Sequence, residues 1–195
     1  MRDLRSGQDP SDPHASEAAL RERLARAEAR IAELEGKLSE AIDYCVALER
    51  LQGAADHGEV LRAVQDVVIN LVGSEELAIF ESAPDGTWKP VQSFGVSAAR
   101  LARAPASDGP VGRVGAEGKG WVVGDGPGAY PSDPALTACL PLQAEGRVVA
   151  VLAIWALLPH KPRLRDSDRQ VLALLGRHAG PALLLTRRAG RARAA

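Results

Sequence analysis

Cysteine is scarce in this chain. The two that occur, Cys45 and Cys139, cannot build a disulfide framework or a cysteine-based zinc site. Long apolar runs are also lacking: no stretch approaches the roughly 18 residues that a membrane span requires, so no membrane insertion is expected. Met1 to Ser16 carries Asp3, Asp9, Pro10, Asp12 and Pro13 with no apolar h-region, which argues against a signal peptide. Charge of one sign is missing as well. A formal net charge of -1 leaves no overall field to attract nucleic acid or an anionic membrane. The four histidines, His14, His57, His160 and His178, have no ligand spacing, so neither a metal nor another cofactor is expected. Together these absences predict a soluble cytoplasmic protein.

What is present suffices for one ordinary domain and an appended element: 195 residues, 46% of them hydrophobic. The appended element comes first. Residues 16–52 contain no proline, and apolar side chains recur at alternating spacings of four and three. Leu24, Ile31, Leu38 and Cys45 take the a positions of a heptad, and Leu20, Ala27, Leu34, Ala41 and Leu48 the d positions. Arg23 and Arg30 then fall at g, Glu28 and Glu35 at e. In a parallel homodimer Arg23 would meet the partner's Glu28, and Arg30 the partner's Glu35. The alternative is a single amphipathic helix lying on its own domain. From Ile42 the stripe widens through Tyr44, Val46 and Leu51, which predicts a change from coiled coil to domain contact.

The rest reads as α+β. Asp56 and Glu59 form a capping pair ahead of a helix whose buried face is Val60, Leu61, Val64, Val67, Val68 and Leu71, ended by Gly73. Strands follow at Leu77–Phe80 and Trp88–Phe94 around the turn Pro84-Asp85-Gly86, with a short helix near Ser97–Arg103. Ser107–Gly120 is glycine-rich, and Trp121–Val123 is a third strand. A last hairpin joins Ala138–Gln143 to Val148–Trp155, and Asp166-Ser167-Asp168 caps a final helix in which Pro181 predicts a kink or break. Val148–Ile154 is apolar throughout, so both its faces must be covered. The expected architecture is a mostly antiparallel sheet flanked by helices, preceded by a long helix. Its divisions are a disordered tail at 1–15, a coiled coil at 16–54, a domain at 55–188 and a basic disordered tail at 189–195.

Three stretches in this order resemble a GAF domain. They are Glu76–Glu81 (Glu-Leu-Ala-Ile-Phe-Glu), similar to the family's first strand, the glycine-rich run Gly109–Asp125, similar to its central helix-turn-strand, and the closing hairpin Leu140–Ile154, where the family usually has glycine in place of Ala150. A PAS-like domain is the nearest rival; the long helices before and after the sheet favour the GAF likeness, which spans roughly residues 56–188. The resemblance implies a sensor of small molecules or proteins. The Asn-Lys-Phe-Asp-Glu set of cyclic-nucleotide-binding members is missing, and Cys139 has no neighbouring histidine of the kind that bilin binding needs. One branch of the fold reduces free methionine sulfoxide with a cysteine nucleophile and resolving cysteines; here Cys139 has no resolving partner, so no enzyme is expected. Cys139 reads as a small buried hydrophobe, with a redox-sensing thiol as the alternative. The preferred reading is a regulatory or scaffold module that binds partner proteins, with no output domain of its own in this chain. The alternative is a small-molecule sensor holding an apolar ligand near Phe94, Val114, Trp121, Val123 and Cys139.

Overall fold

The computed structural model describes residues 13–125 and 130–194, and side chains within 17–125 and 130–192. Most of the tail expected at 1–15 therefore lies outside the described residues. Two compact units divide the chain, at residues 1–42 and 43–195. The first unit consists, in its described part, of the bulk of one helix, α1 (Pro13–Gln52). Its stripe faces solvent: Leu20, Leu24, Ile31, Leu34 and Leu38 are 50–62% exposed. Among the described residues, Arg23, Glu28 and Glu35 make no ion pair, while Arg30 and Lys37 both reach Glu33.

In the second unit the last residues of α1 enter a core. Ala47 and Leu51 are buried and Tyr44 packs beside them, directly after the widening at Ile42. Helix α2 (His57–Val67) opens with the capping box that the sequence predicts. The Asp56 carboxylate accepts the Glu59 N–H at 2.8 Å, and the Glu59 carboxylate accepts the Ala55 N–H at 2.7 Å. A π-helical turn, Val68–Val72, carries the chain to Gly73, which at φ 72° takes the left-handed conformation that ends the helix.

The sheet comprises β1 (Ser74–Ser82), β2 (Trp88–Phe94), β3 (Trp121–Val122), β4 (Ala138–Ala144) and β5 (Arg147–Leu157). Its order is β2-β1-β5-β4-β3, antiparallel throughout. Both margins of the sheet contain proline. Pro90 sits in the outer strand β2, and Pro141 in the stretch of β4 that the two-residue β3 does not reach. The all-apolar β5 lies at the centre, and its residues divide between two cores. Ala150, Leu152 and Ile154 face the helices, whereas Val151, Ala153 and Trp155 face the opposite layer. Period-two geometry accounts for the division.

On the helix side α2 and α5 (Asp166–Ala194) cover the sheet with Val60, Val64, Leu172, Leu175 and Leu183. Asp168 caps α5 by accepting the Arg165 N–H at 2.6 Å, and it pairs with Lys161 at 2.7 Å. Pro181 lies inside α5 without ending it, and the helix runs on to Ala194. Of the kink or break expected at Pro181 the break is not found, and the disordered tail expected at 189–195 is helical through Ala194. Arg187 and Arg188 tie this stretch to the sheet layer through Glu81 and Glu145, contacts that no local pattern announces. Immediately before the proline, α5 meets β4 so closely that a Cβ on Gly180 would sit 2.7 Å from the Gln143 nitrogen. Glycine is required there.

On the other side lie α3 (Ala98–Arg103), capped by Ser97, and α4 (Pro110–Glu117). The glycine-rich run thus contains a helix. Proline opens it at its first turn, Gly118 closes it at φ 65°, and Val111 and Val114 face the sheet.

Candidate functional site

The layer between the sheet and α4 is where a ligand space was expected. Side chains fill it. Phe80, Val111, Val114, Leu136, Cys139, Val151 and Trp155 are at most 4% exposed, and Trp121 packs against them. The structure therefore brings Val114, Trp121 and Cys139 into one cluster. Phe94 is not part of it: it lies on the outer strand β2, 45% exposed. Val123 lies at a different place, the rim of an open groove of about 650 Å³ lined by Arg163, Arg165 and Arg169.

Polar groups edge the cluster in an order that sequence reasoning missed. The Trp155 indole N–H donates to the Asp133 carboxylate at 2.7 Å, and the Thr137 hydroxyl donates to the Trp155 carbonyl at 2.6 Å. The Arg100 guanidinium stands 5.6 Å above the Trp155 ring and pairs with Glu76. Trp121 meets Tyr130 edge to face at 5.4 Å. Beside this network lies a cleft of about 180 Å³ bordered by Arg100, Arg103, Asp108, Ser132 and Asp133. The only local signal was an indole with a polar tip on a strand otherwise wholly apolar. Its partners lie in other elements, far away in sequence.

Burial pushes the Cys139 thiol well above its ordinary range, and burial likewise raises the Tyr130 hydroxyl. A thiol that stays protonated and sealed is a poor nucleophile. Among the described residues no group of three or more His, Cys, Asp or Glu is placed to hold a metal ion.

The helix side has two further features. Leu48, Leu51, Ala182 and Leu185 line an apolar groove of about 300 Å³ between the end of α1 and α5, and Leu185 is 64% exposed. Cys45 on the same stretch of α1 is exposed, unlike Cys139. At the other margin Glu81 pairs with both His57 and Arg187. Glu81 was legible as a charged residue in step with the inward-facing Leu77 and Ile79, but its partners were not. No helix among the described residues is long and apolar enough to cross a membrane.

A GAF domain family model matches residues 54–184, more than half of the chain. No curated protein matches. Solved structures with the same fold include the GAF domain of a phosphoenolpyruvate-protein phosphotransferase from Coxiella burnetii. It is 14% identical over 79% of this chain and 98% of that one, with a TM-score of 0.62. The A. aeolicus nlh2 GAF domain in an inactive state is 17% identical over 76% and 98% of the two chains, at 0.55. The free methionine-R-sulfoxide reductase of Neisseria meningitidis, in complex with its substrate, is 18% identical over 77% and 93%, at 0.56. At such identities these likenesses concern the fold.

Proposed function

We infer the function from one premise: the chain belongs to the GAF domain family. GAF domains are typically sensing or signalling modules. We propose that this one is a non-catalytic regulatory or scaffold module that forms a parallel homodimer through α1 and acts by binding partner proteins.

One observation carries the reading. Five large aliphatic side chains, Leu20, Leu24, Ile31, Leu34 and Leu38, form a heptad stripe on α1 and stand 50–62% exposed in the single chain. Such a stripe is stable in water when a like stripe covers it. The flanking charges select a second copy as the cover. Arg23 and Arg30 are placed to face Glu28 and Glu35 of an in-register parallel partner, and three of these four have no ion pair among the described residues. The stripe continues through Cys45 and Leu48 to the groove that Leu185 borders, so α5 is positioned to feel the pairing. A non-catalytic reading suits the sealed Cys139, the one cysteine within the matched GAF region.

The test is the solution mass of a chain carrying Ile31→Asn and Leu34→Gln, measured by light scattering. Each buried aliphatic side chain contributes about 1.5–3 kcal/mol, so the variant should be monomeric where the parent is dimeric. A variant that remains dimeric would assign the pairing to the globular unit and overturn the role given to α1.

The small-molecule reading keeps one observation in its favour, the cleft beside Trp155. Its lining mixes charged side chains with apolar surface, and none of the residues expected around an apolar ligand, Phe94, Val114, Trp121, Val123 and Cys139, lines it. Native mass spectrometry decides it: extra mass on the purified protein would favour a ligand, and the bare polypeptide mass would favour the protein-binding module.

A further inference from the structure

Among the described residues, every buried side-chain nitrogen or oxygen without a hydrogen-bond partner belongs to one cluster: His57 Nδ1, Glu81 Oε1 and Arg187 Nη2. Yet the cluster is closely paired by distance. Glu81 Oε1 stands 3.0 Å from His57 Nε2 and 2.6 Å from Arg187 Nη2. Charge is thus compensated while hydrogen-bond alignment is not. That forfeits the directional part of the interaction, where a carboxylate only 13% exposed has most need of it. Three elements meet at this oxygen: the first residue of α2, the end of β1 and the late turns of α5.

The late turns of α5 have little else to hold them. Leu183 is the last fully buried residue of the helix, and Leu185 beyond it is 64% exposed. Past Leu185 the holds are ionic. Arg187 rests on Glu81, and Arg188 grips Glu145 at the β4–β5 turn in a two-pronged pair with both distances 2.7 Å. Just upstream Pro181 removes one rung of the helical hydrogen-bond ladder.

Each acid also has a second partner that does not lie on α5. Glu81 has His57 at 3.0 Å, and Glu145 has Arg147 at 4.0 Å. When the arginines leave, neither carboxylate is stranded. We propose that residues 184–194 form an ionic latch, seated on Glu81 and Glu145. The latch can release from the sheet while residues 166–183 stay packed. Its use in passing a signal along α5 rests on the function proposed above, but the latch itself does not.

Amide hydrogen exchange of the full chain tests it. In the parent, 184–192 should be protected, and Arg187→Gln or Glu81→Gln should each speed exchange there by on the order of tenfold. Exchange in β5 and in 166–180 should stay within about a factor of two of the parent. Combining both substitutions should add little to either alone, because they break one contact. Should Glu81→Gln fail to fold, Arg187→Gln at the margin still answers. An unprotected segment in the parent, no change in the variants, or an equal rise in β5 would each overturn the latch. Repeating the Arg187→Gln comparison in the Ile31→Asn, Leu34→Gln chain separates the two proposals. The same local increase there would hold the latch valid whatever the oligomeric state.

Discussion

The two faces of the sheet are built from different materials. Toward α2 and α5 the core is almost wholly aliphatic, with Leu77, Ile79, Leu142, Leu152, Leu172 and Leu175 at most 2% exposed. Toward α4 it is aromatic and polar-edged, with Phe80 buried, Trp155 and Tyr130 held by a hydrogen bond and a ring contact, and a cleft at the margin. Close packing of aliphatic chains contributes stability without directional demands. An indole with a buried N–H depends on one partner in one place. Each face is vulnerable in its own way: the helix side to lost volume, the α4 side to lost polar partners.

Leu152 and Val151 are adjacent on β5, fully buried, and point to opposite faces, so they put this contrast to its sharpest test. Leu152→Ala should cost about 2–5 kcal/mol in chemical denaturation, the largest effect of the set. Val151→Ala should cost clearly less, and equal losses would break the contrast. Next comes Gly180→Val, which forces a side chain against the Gln143 backbone and should cost about 1–3 kcal/mol by overpacking. A neutral result would mean that α5 can lift from β4.

The α4 side has its own signature at alkaline pH. Cys139 keeps its proton in the folded state far above the ordinary thiol value of 9.0. The folded state therefore binds that proton more tightly than the unfolded chain does. Its contribution is fully present below pH 9 and is lost as pH rises beyond it, by up to about 1.4 kcal/mol per pH unit. Tyr130, also raised, acts in the same direction at higher pH. Cys139→Ala should lower stability at neutral pH but flatten this alkaline slope, read from denaturation midpoints at about pH 8 and about pH 10. An unchanged slope would remove Cys139 as its cause. The smallest effect should be that of Trp155→Phe, about 1 kcal/mol from the bond to Asp133. A larger loss would show that the polar edge carries more of this face than its packing does.

Much of the fold was legible in the sequence because its signals are local or periodic. The capping box at Asp56 and Glu59 involves neighbours in sequence, and the unbroken apolar run of β5 forces burial on both faces. Helix α4 was legible only through the likeness of Gly109–Asp125 to the GAF family's central helix-turn-strand, not from its residues. Glycines at 112 and 115 count against a helix by propensity, and what demands Gly115 is Trp88, whose ring nitrogen would lie 2.6 Å from an added Cβ. The continuation of α5 through Pro181 was hidden for a similar reason, since its tethers at Glu81 and Glu145 lie in distant strands. Of the five pocket candidates, Val114, Trp121 and Cys139 were recognisable from apolar segments that must face inward. Phe94 and Val123 share that chemistry, but strand position placed one on the outer edge and the other by an arginine-lined groove.

The prolines at the two margins of the sheet bear on how these chains can aggregate. An exposed strand edge is a template: its free N–H and C=O groups invite another strand to add, and growth by such addition has no natural end. Pro90 removes a donor from the row that such a strand would read on β2, and at the other margin α5 lies against the Pro141–Gln143 backbone. Strand-by-strand polymerisation is thereby discouraged on both sides.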